Sequence, residues 1–188
     1  MVVESSRDEL EHGEPAPGFE LPGTDDRTYS LSDFAEYQAL LVVFTCNHCP
    51  YAKSKFDTLN DIAAAYDEVA VIGINPNDAA EYPEDSLDRM RDLVAEGTIA
   101  YDAYLRDDTQ SVARAYGAAC TPDPFLFEGS DGEFTLAYHG RLDDAQSPDA
   151  DPSGEPGFEM RRAIDAVLAG ESVDGDEVPS RGCSIKWK

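Results

Sequence analysis

Two cysteines separated by two residues, Cys46-Asn47-His48-Cys49, carry the strongest chemical signal in this chain. They stand where a largely apolar run, Ala39 to Thr45, gives way to a helical pattern beginning at Pro50. A thiol at a strand-to-helix junction meets unpaired backbone N–H groups and the positive end of the helix dipole, and both favour its thiolate. The two-residue spacer lets the second sulfur reach the first, so a mixed disulfide formed at Cys46 can be resolved by Cys49. His48 can hold a proton near neutral pH and, when charged, favours thiolate over disulfide. The pattern predicts a redox pair with Cys46 attacking, Cys49 resolving and His48 tuning the potential. Cys46 is expected to have a pKa below the ~8.5 of a free thiol.

The same spacing is also half of a zinc site. Cys120 and His139 would be the remaining ligands, but no second pair has metal-ligand spacing, so no metal is expected. Cys120 lies two residues before Pro122, and Cys183 lies in a polar tail. Each reads either as a small packed residue or as an auxiliary redox sulfur. Lys53 and Lys55 place half of the four lysines beside the motif, which a solvated helix face also explains. Arg141, Asp143 and Asp144 suggest a local ion pair, and His12 and His139 read as surface residues.

Several elements must position these residues. Phe19-Glu20-Leu21 alternates like a short strand, Asp25-Asp26-Arg27 is a turn, and Tyr29-Ser30-Leu31 can pair back across it. Ser32 caps a helical turn. The Ala39–Thr45 run predicts a central strand buried on both faces. Ala52, Phe56, Leu59, Ile62, Ala63 and Tyr66 recur at helical spacing. Val69 to Asn75 is a second buried strand, so the unit is βαβ, parallel, with a right-handed crossover. Helices follow over 84–96, stopped by Gly97, and over 109–116, capped by Thr109 and stopped by Gly117. Tyr101 to Leu105 suggests a short strand. Pro124–Phe127 and Phe134–His139 form a strand–turn–strand pattern with a connection longer than a tight hairpin. A loop covers 145–156, and the last helix covers 158–168. Residues 1–13 read as frayed, 14–170 as one domain, and 171–188 as an irregular tail whose Ile185 and Trp187 pack on the body.

At 188 residues and 41% apolar composition, the chain can bury a core. Its charge is −25, from 14 basic and 39 acidic residues, with the acids spread along its length. So negative a field repels phosphate backbones and anionic lipid, so nucleic acid and membrane are not expected partners. No secretory h-region opens the chain, and the longest apolar run is too short to span a bilayer, which predicts a cytoplasmic protein. Four cysteines in such a chain argue for redox or metal chemistry over a disulfide scaffold.

Thr121-Pro122, leading into Pro124-Phe-Leu-Phe127, makes a resemblance specific. A βαβ unit with CxxC at its junction, a further helix, then Thr-Pro before a hairpin and a closing helix resembles the thioredoxin superfamily. The resemblance implies an α/β thioredoxin fold: a central mixed sheet with helices on both faces and an N-terminal β-hairpin extension. It also implies a cis bond at Thr121-Pro122, facing the cysteines and offering backbone hydrogen bonds to a substrate chain.

The stretches Glu14–Leu21 and Tyr29–Phe34 are similar to the entry hairpin of the redoxin branch, which contains the AhpC/TSA peroxiredoxins. Phe44–Tyr51, Tyr116–Asp123, Gly140–Asp144 and Gly182–Lys188 resemble a subfamily described as redoxin-domain or thiol–disulfide isomerase-like. The implied function is exchange of a Cys46–Cys49 disulfide with protein or small-molecule thiols, maintained by a reductant not identified from sequence. No cofactor beyond that disulfide is implied. A thiol peroxidase using Cys49 is the alternative; a non-catalytic module binding a metal or partner is another. There are departures. Leu40 stands where thioredoxin has a buried Asp, so the proton acceptor is missing. With Cys49 in the peroxidatic place, Cys46 and Val42 replace that motif's Thr and Pro. A copper-carrier reading with His139 has the wrong cysteine spacing.

The charge generates a testable expectation. The Debye length is about 30 Å at 0.01 M salt and about 3 Å at 1 M, so dilute buffer leaves the acids repelling one another. The melting temperature should rise steeply from about 0.1 M to 1 M KCl, equally with NaCl, and insulin-disulfide reduction should rise with it. A flat melting curve would show the acids to be locally compensated.

Overall fold

The computed structural model describes residues 2–7 and 9–188; Met1 and Asp8 lie outside the described residues. The centre is β4 (Ala39–Phe44), every residue of which is fully buried. An apolar run without alternation suits a strand covered on both faces. β4 pairs in parallel with β5 (Val69–Asn75), and β5 with β6 (Ala103–Arg106). On its other side β4 pairs antiparallel with β8 (Asp123–Ser130), which pairs with β9 (Glu133–His139), giving the order β6-β5-β4-β8-β9.

The two faces of β4 separate cleanly. Ala39, Leu41 and Val43 pack with Leu59 and Ile62 of α2 (Phe56–Ala65) and with Met160, Ala163 and Ile164 of α5 (Phe158–Leu168). Leu40, Val42 and Phe44 pack with Val112, Ala113 and Tyr116 of α4 (Ser111–Tyr116) and with the hairpin of β2 (Glu20–Pro22) and β3 (Thr28–Ser30). This is the mixed, doubly covered sheet of the thioredoxin fold, with its N-terminal hairpin. No helix among the described residues is long and apolar enough to cross a membrane.

Several local expectations are corrected. The helix after the cysteines is two pieces, α1 (Pro50–Lys53) and α2, with Ser54 and Lys55 between them. The helical turn at 31–34 is anchored at Ser30, whose N–H donates to Asp33 Oδ2 at 2.7 Å. The helix expected from 84 starts later, as α3 (Leu87–Ala95). Ser86 caps it by accepting from the Arg89 N–H, and 83–85 form a separate 3-10 turn. α4 likewise begins at Ser111, not Thr109, behind Gln110 in a left-handed conformation. The β8–β9 connection is a tight turn, because Asp131 and Gly132 both take positive φ (53° and 83°) as a two-residue hairpin requires.

The ends of the chain differ most from expectation. Val3–Ser5, within the stretch expected to fray, form β1. Arg181–Ser184, within the tail read as irregular, form β10. β10 pairs antiparallel with β1 on one side and with β7 (Cys120–Thr121) on the other, in a second sheet of order β1-β10-β7. Their apolar content is too short for any periodicity to register; pairing across the molecule stabilises them.

Tyr116 is fully buried, with its ring edge-on to Phe44, Phe125 and Phe127. Its hydroxyl is buried without a hydrogen-bond partner. Tyr116→Phe should therefore hold or raise stability by up to about 1 kcal/mol, because it removes an unmet polar group. Tyr116→Ala should cost about 3–5 kcal/mol through the cavity left among the rings. Chemical denaturation distinguishes the two, and a clear loss in Tyr116→Phe would reveal a partner for the hydroxyl.

Candidate redox site

Cys46 lies one residue beyond β4, and the intervening Thr45 still extends the ladder, its N–H donating to the Ile74 carbonyl at 2.9 Å. The chain then turns through Asn47 and His48 to Cys49, the residue before α1. Asn47 is pinned on three sides. Its N–H donates to Asp85 Oδ1 (2.7 Å), its side-chain amide to the Glu84 carbonyl (2.7 Å), and its Oδ1 accepts from the Tyr104 hydroxyl (2.7 Å).

Thr121 faces both cysteines across the cis Thr121-Pro122 bond. Its hydroxyl lies 3.2 Å from Cys46 Sγ, and its carbonyl oxygen 3.5 Å from Cys49 Sγ. Cys49, however, is not bonded to Cys46. It forms a disulfide with Cys183, 134 residues later, with the Cα atoms 6.3 Å apart. The expected Cys46–Cys49 disulfide is thus replaced by Cys49–Cys183, and Cys46 is a free, buried thiol. The cause is β10, whose pairing with β7 sets Cys183 directly opposite Thr121. Cys46, Cys49 and Cys183 share one buried cluster with Ala52, Phe56, Met90, Ile99 and Tyr104.

Cys120 is not part of that cluster. Its side chain sits 3.5 Å from the Pro122 carbonyl, and burial, reinforced by Asp123, raises its pKa far beyond the ordinary thiol range. It behaves as a packed residue. His139 is also no surface group: it is buried, stacked on Phe125 with centroids 3.8 Å apart, and its Nε2 is 2.9 Å from Asp123 Oδ1. Neither is gathered with the CxxC thiols in a metal-ligand set among the described residues.

The acid that sequence reasoning missed is Asp85. Leu40, at the place of thioredoxin's buried Asp, is wholly in the apolar core. Asp85 instead reaches the motif from the turn before α3, fully buried. Its Oδ2 is 2.6 Å from His48 Nδ1, and His48 stacks on Tyr82 with centroids 5.1 Å apart. Burial alone would raise the Asp85 pKa. Hydrogen bonds from His48, Asn77 and the Asn47 N–H outweigh it and leave the carboxyl below its usual value. The signal for Asp85 was Ser86, a good helix cap that leaves the preceding residue free to turn inward.

Cys46, His48 and Asp85 offer donor atoms all within 4.8 Å of one another, the spacing of a metal cluster. The carboxylate is already saturated: Oδ1 accepts from the Asn47 N–H and Asn75, and Oδ2 meets His48 and Asn77. The arrangement suits a proton network better than a cation cage. Two further expectations are corrected nearby. Lys55 does not sit on a solvated face but makes a partly buried 2.5 Å ion pair with the buried Asp143, and Arg141 pairs with Glu159 (2.7 and 2.8 Å).

Comparison with known proteins places this geometry. The model of the AhpC/TSA family matches residues 12–135. No curated protein matches the chain. Among solved structures, an uncharacterized conserved protein from Geobacillus kaustophilus is 38% identical, with a TM-score of 0.91, covering 100% of this chain and 97% of its own. A protein from Chlorobium tepidum, proposed as the thiol:disulfide interchange protein DsbE, is 21% identical, with a TM-score of 0.62, over 85% of this chain and 99% of its own. The peroxidoxin BcpB from Mycobacterium tuberculosis is 15% identical, with a TM-score of 0.61, over 87% and 100%. The last two share the fold.

The Cys46 thiol departs from the reactive state expected of it. Burial first, then the Asp85 carboxylate, push its pKa up to about 12; the Thr121 hydroxyl and the N–H groups of Cys49 and His48 pull it down less. α1 is a four-residue helix and begins beyond Cys49, so little helix dipole reaches Cys46. Folding holds the proton on this thiol. That contribution to stability is full below the unfolded pKa of about 8.5 and is lost as the pH rises toward 12. In the Cys49–Cys183 form, iodoacetamide should scarcely label Cys46 at pH 7, with the rate climbing roughly tenfold per pH unit as thiolate appears. Rapid labelling at neutral pH would contradict the closed site.

Proposed function

The chain belongs to the AhpC/TSA family, and from that premise we propose that it is a thiol–disulfide oxidoreductase centred on Cys49, whose sulfur is shared between Cys183 and Cys46. One observation carries this reading: Cys49 is disulfide-bonded to Cys183 while the other thiol of its CxxC lies in the same buried cluster, against the Thr121 hydroxyl. Three sulfurs so placed support a disulfide that moves between Cys49–Cys183 and Cys46–Cys49 by thiolate attack, with Cys49 as the common atom. His48 takes and returns protons at the edge of this cluster, held in one orientation by Asp85 and by its stack on Tyr82. Thr121 positions the sulfurs. Protein thiols and disulfides are the substrate class we assign, with reducing equivalents from a second thiol donor.

A second reading has its own support. A Cys49–Cys183 bond is also what a peroxide-oxidised Cys49 would form with a resolving thiol, and the fold is shared with a peroxidoxin. Against it, the nearby hydroxyl of Thr121 contacts Cys46, not Cys49.

Insulin-disulfide reduction and peroxide consumption, measured side by side in molar KCl, test the assignment. Cys49→Ser should reduce insulin turnover to background. Cys46→Ser should do nearly the same, since the exchange needs a third sulfur. Peroxide turnover that is fast, lost in Cys49→Ser and retained in Cys46→Ser would transfer the function to the peroxidase reading.

A further inference from the structure

The edge of β7 that another chain would need is already taken by the protein's own C-terminal strand. β10 lies antiparallel to β7, with Cys183 opposite Thr121 and Ser184 opposite Cys120. Its far edge is covered by β1. Gly182 sits so close to the Thr121-Pro122 peptide that an added Cβ would overlap the Thr121 carbonyl oxygen, at 2.5 Å from the carbonyl carbon and 3.0 Å from Pro122 N. The strand ends are tied on the same edge, by Ser180 Oγ donating to the Pro122 carbonyl (2.8 Å) and the Ile185 N–H to the Ala119 carbonyl (3.2 Å). Beneath it, Cys46 and Cys49 have no exposed surface and Cys183 has 1%. Reaction with any second chain therefore requires β10 to leave.

The surroundings permit that departure without loss of the tail. Downstream, the terminus is held away from the sulfurs: Asp78 N–H donates to the Lys186 carbonyl (2.8 Å), Lys186 N–H to Asn77 Oδ1 (2.9 Å), and Lys188 N–H to Gln110 Oε1 (2.9 Å). The Arg114 guanidinium lies 4.3 Å over the Trp187 ring. Upstream, residues 172–176 form no helix or strand and supply slack, while the stretch next to β10 is tied down, the Arg141 N–H donating to the Val178 carbonyl and the Ser6 N–H to the Ser180 carbonyl (both 2.9 Å).

We propose that Arg181–Ser184 is a tethered competitor for the exchange site, and that the segments able to replace it are extended strands in which glycine immediately precedes the reactive cysteine. This inference rests on the oxidoreductase reading above and names its substrate class. In the first step Cys46 gives up its proton and its sulfur attacks Cys49 Sγ, a step that speeds up as the pH rises and the Cys46 thiolate becomes populated. The Cys46–Cys49 bond forms, the Cys49–Cys183 bond breaks, and the electron pair leaves on Cys183, which takes up the proton Cys46 gave. No external oxidant or reductant enters. β10 then frees the β7 edge. An incoming Gly-Cys thiolate attacks Cys49, breaks the Cys46–Cys49 bond and returns the electron pair to Cys46. A side chain in place of that glycine meets the Thr121 carbonyl, as a Cβ at 182 would.

The test uses the full-length protein carrying Cys46→Ser and Cys183→Ser, so that any adduct on Cys49 persists. Two peptides, Ser-Arg-Gly-Cys-Ser-Ile and Ser-Arg-Ala-Cys-Ser-Ile, are supplied as thionitrobenzoate mixed disulfides. Attack by Cys49 forms the peptide adduct and releases coloured thionitrobenzoate; mass spectrometry locates the adduct. Dithiobis(nitrobenzoate) alone, its adduct likewise located by mass spectrometry because Cys120 also remains a thiol in this variant, reports whether Cys49 is a working thiol. The glycine peptide should react roughly tenfold faster than the alanine peptide or better, a difference set by one clash. Equal peptide rates would overturn the proposal while leaving the oxidoreductase reading intact. So would reaction with dithiobis(nitrobenzoate) but with neither peptide. Failure of Cys49 with all three reagents would sink both. As a second measurement, Gly182→Ala in the otherwise native chain should unseat β10 and speed iodoacetamide labelling of Cys46 at pH 7; unchanged labelling in the folded variant would also count against it.

Discussion

The site depends on one close approach of backbone to backbone, Gly182 over the Thr121-Pro122 peptide. A residue with a side chain holds β10 farther off, and Cys183 then loses its place opposite Thr121. The disulfide to Cys49 follows from that placement, and it sets Cys183 in the same buried cluster as Cys46. Burial in turn holds the Cys46 thiol protonated. A single steric fact thus links the pairing of a short strand to the reactivity of a thiol it does not bond.

The second constraint is electrostatic. The chain carries a net charge of −25, and a buried carboxylate beside a thiol works against thiolate formation. Asp85 is tolerated there because four donors, His48, Asn47, Asn75 and Asn77, converge on its two oxygens. A buried anion without them would be too costly to keep charged. The same bonds fix the turn at Asn47 and the orientation of His48, so Asp85 holds the loop between the cysteines. Lys55 and Asp143 repeat the principle at the end of the α1–α2 break, where Asp143 also accepts from the Gly157 N–H and anchors the start of α5.

Much was legible locally. Ala39–Phe44 and Val69–Asn75 declared themselves as buried parallel strands by uninterrupted apolarity, and the entry hairpin by its turn residues. Cys46-Asn47-His48-Cys49 and Thr121-Pro122 stand out in the sequence as motifs that the resemblance places together, and the structure does bring Thr121 to both sulfurs. Asp85 is hidden in the sequence because residues 84–86 lie directly against the strong helical spacing of 87–95, and only the tertiary contacts show it turning inward ahead of Ser86.

The sequence by itself determined what repeats or neighbours can encode: the core strands, the helix faces, the charge and the CxxC spacing. Only the tertiary structure decided which sulfur Cys49 bonds. Its partner lies 134 residues away, in a four-residue strand with no periodicity of its own. Pairing of that kind is specified by where β7 and β1 leave open edges, and by a glycine whose necessity appears only when another backbone lies against it. Local patterns report the environment along the chain; the choice between Cys46 and Cys183 is a matter of distance through space, which the fold alone sets.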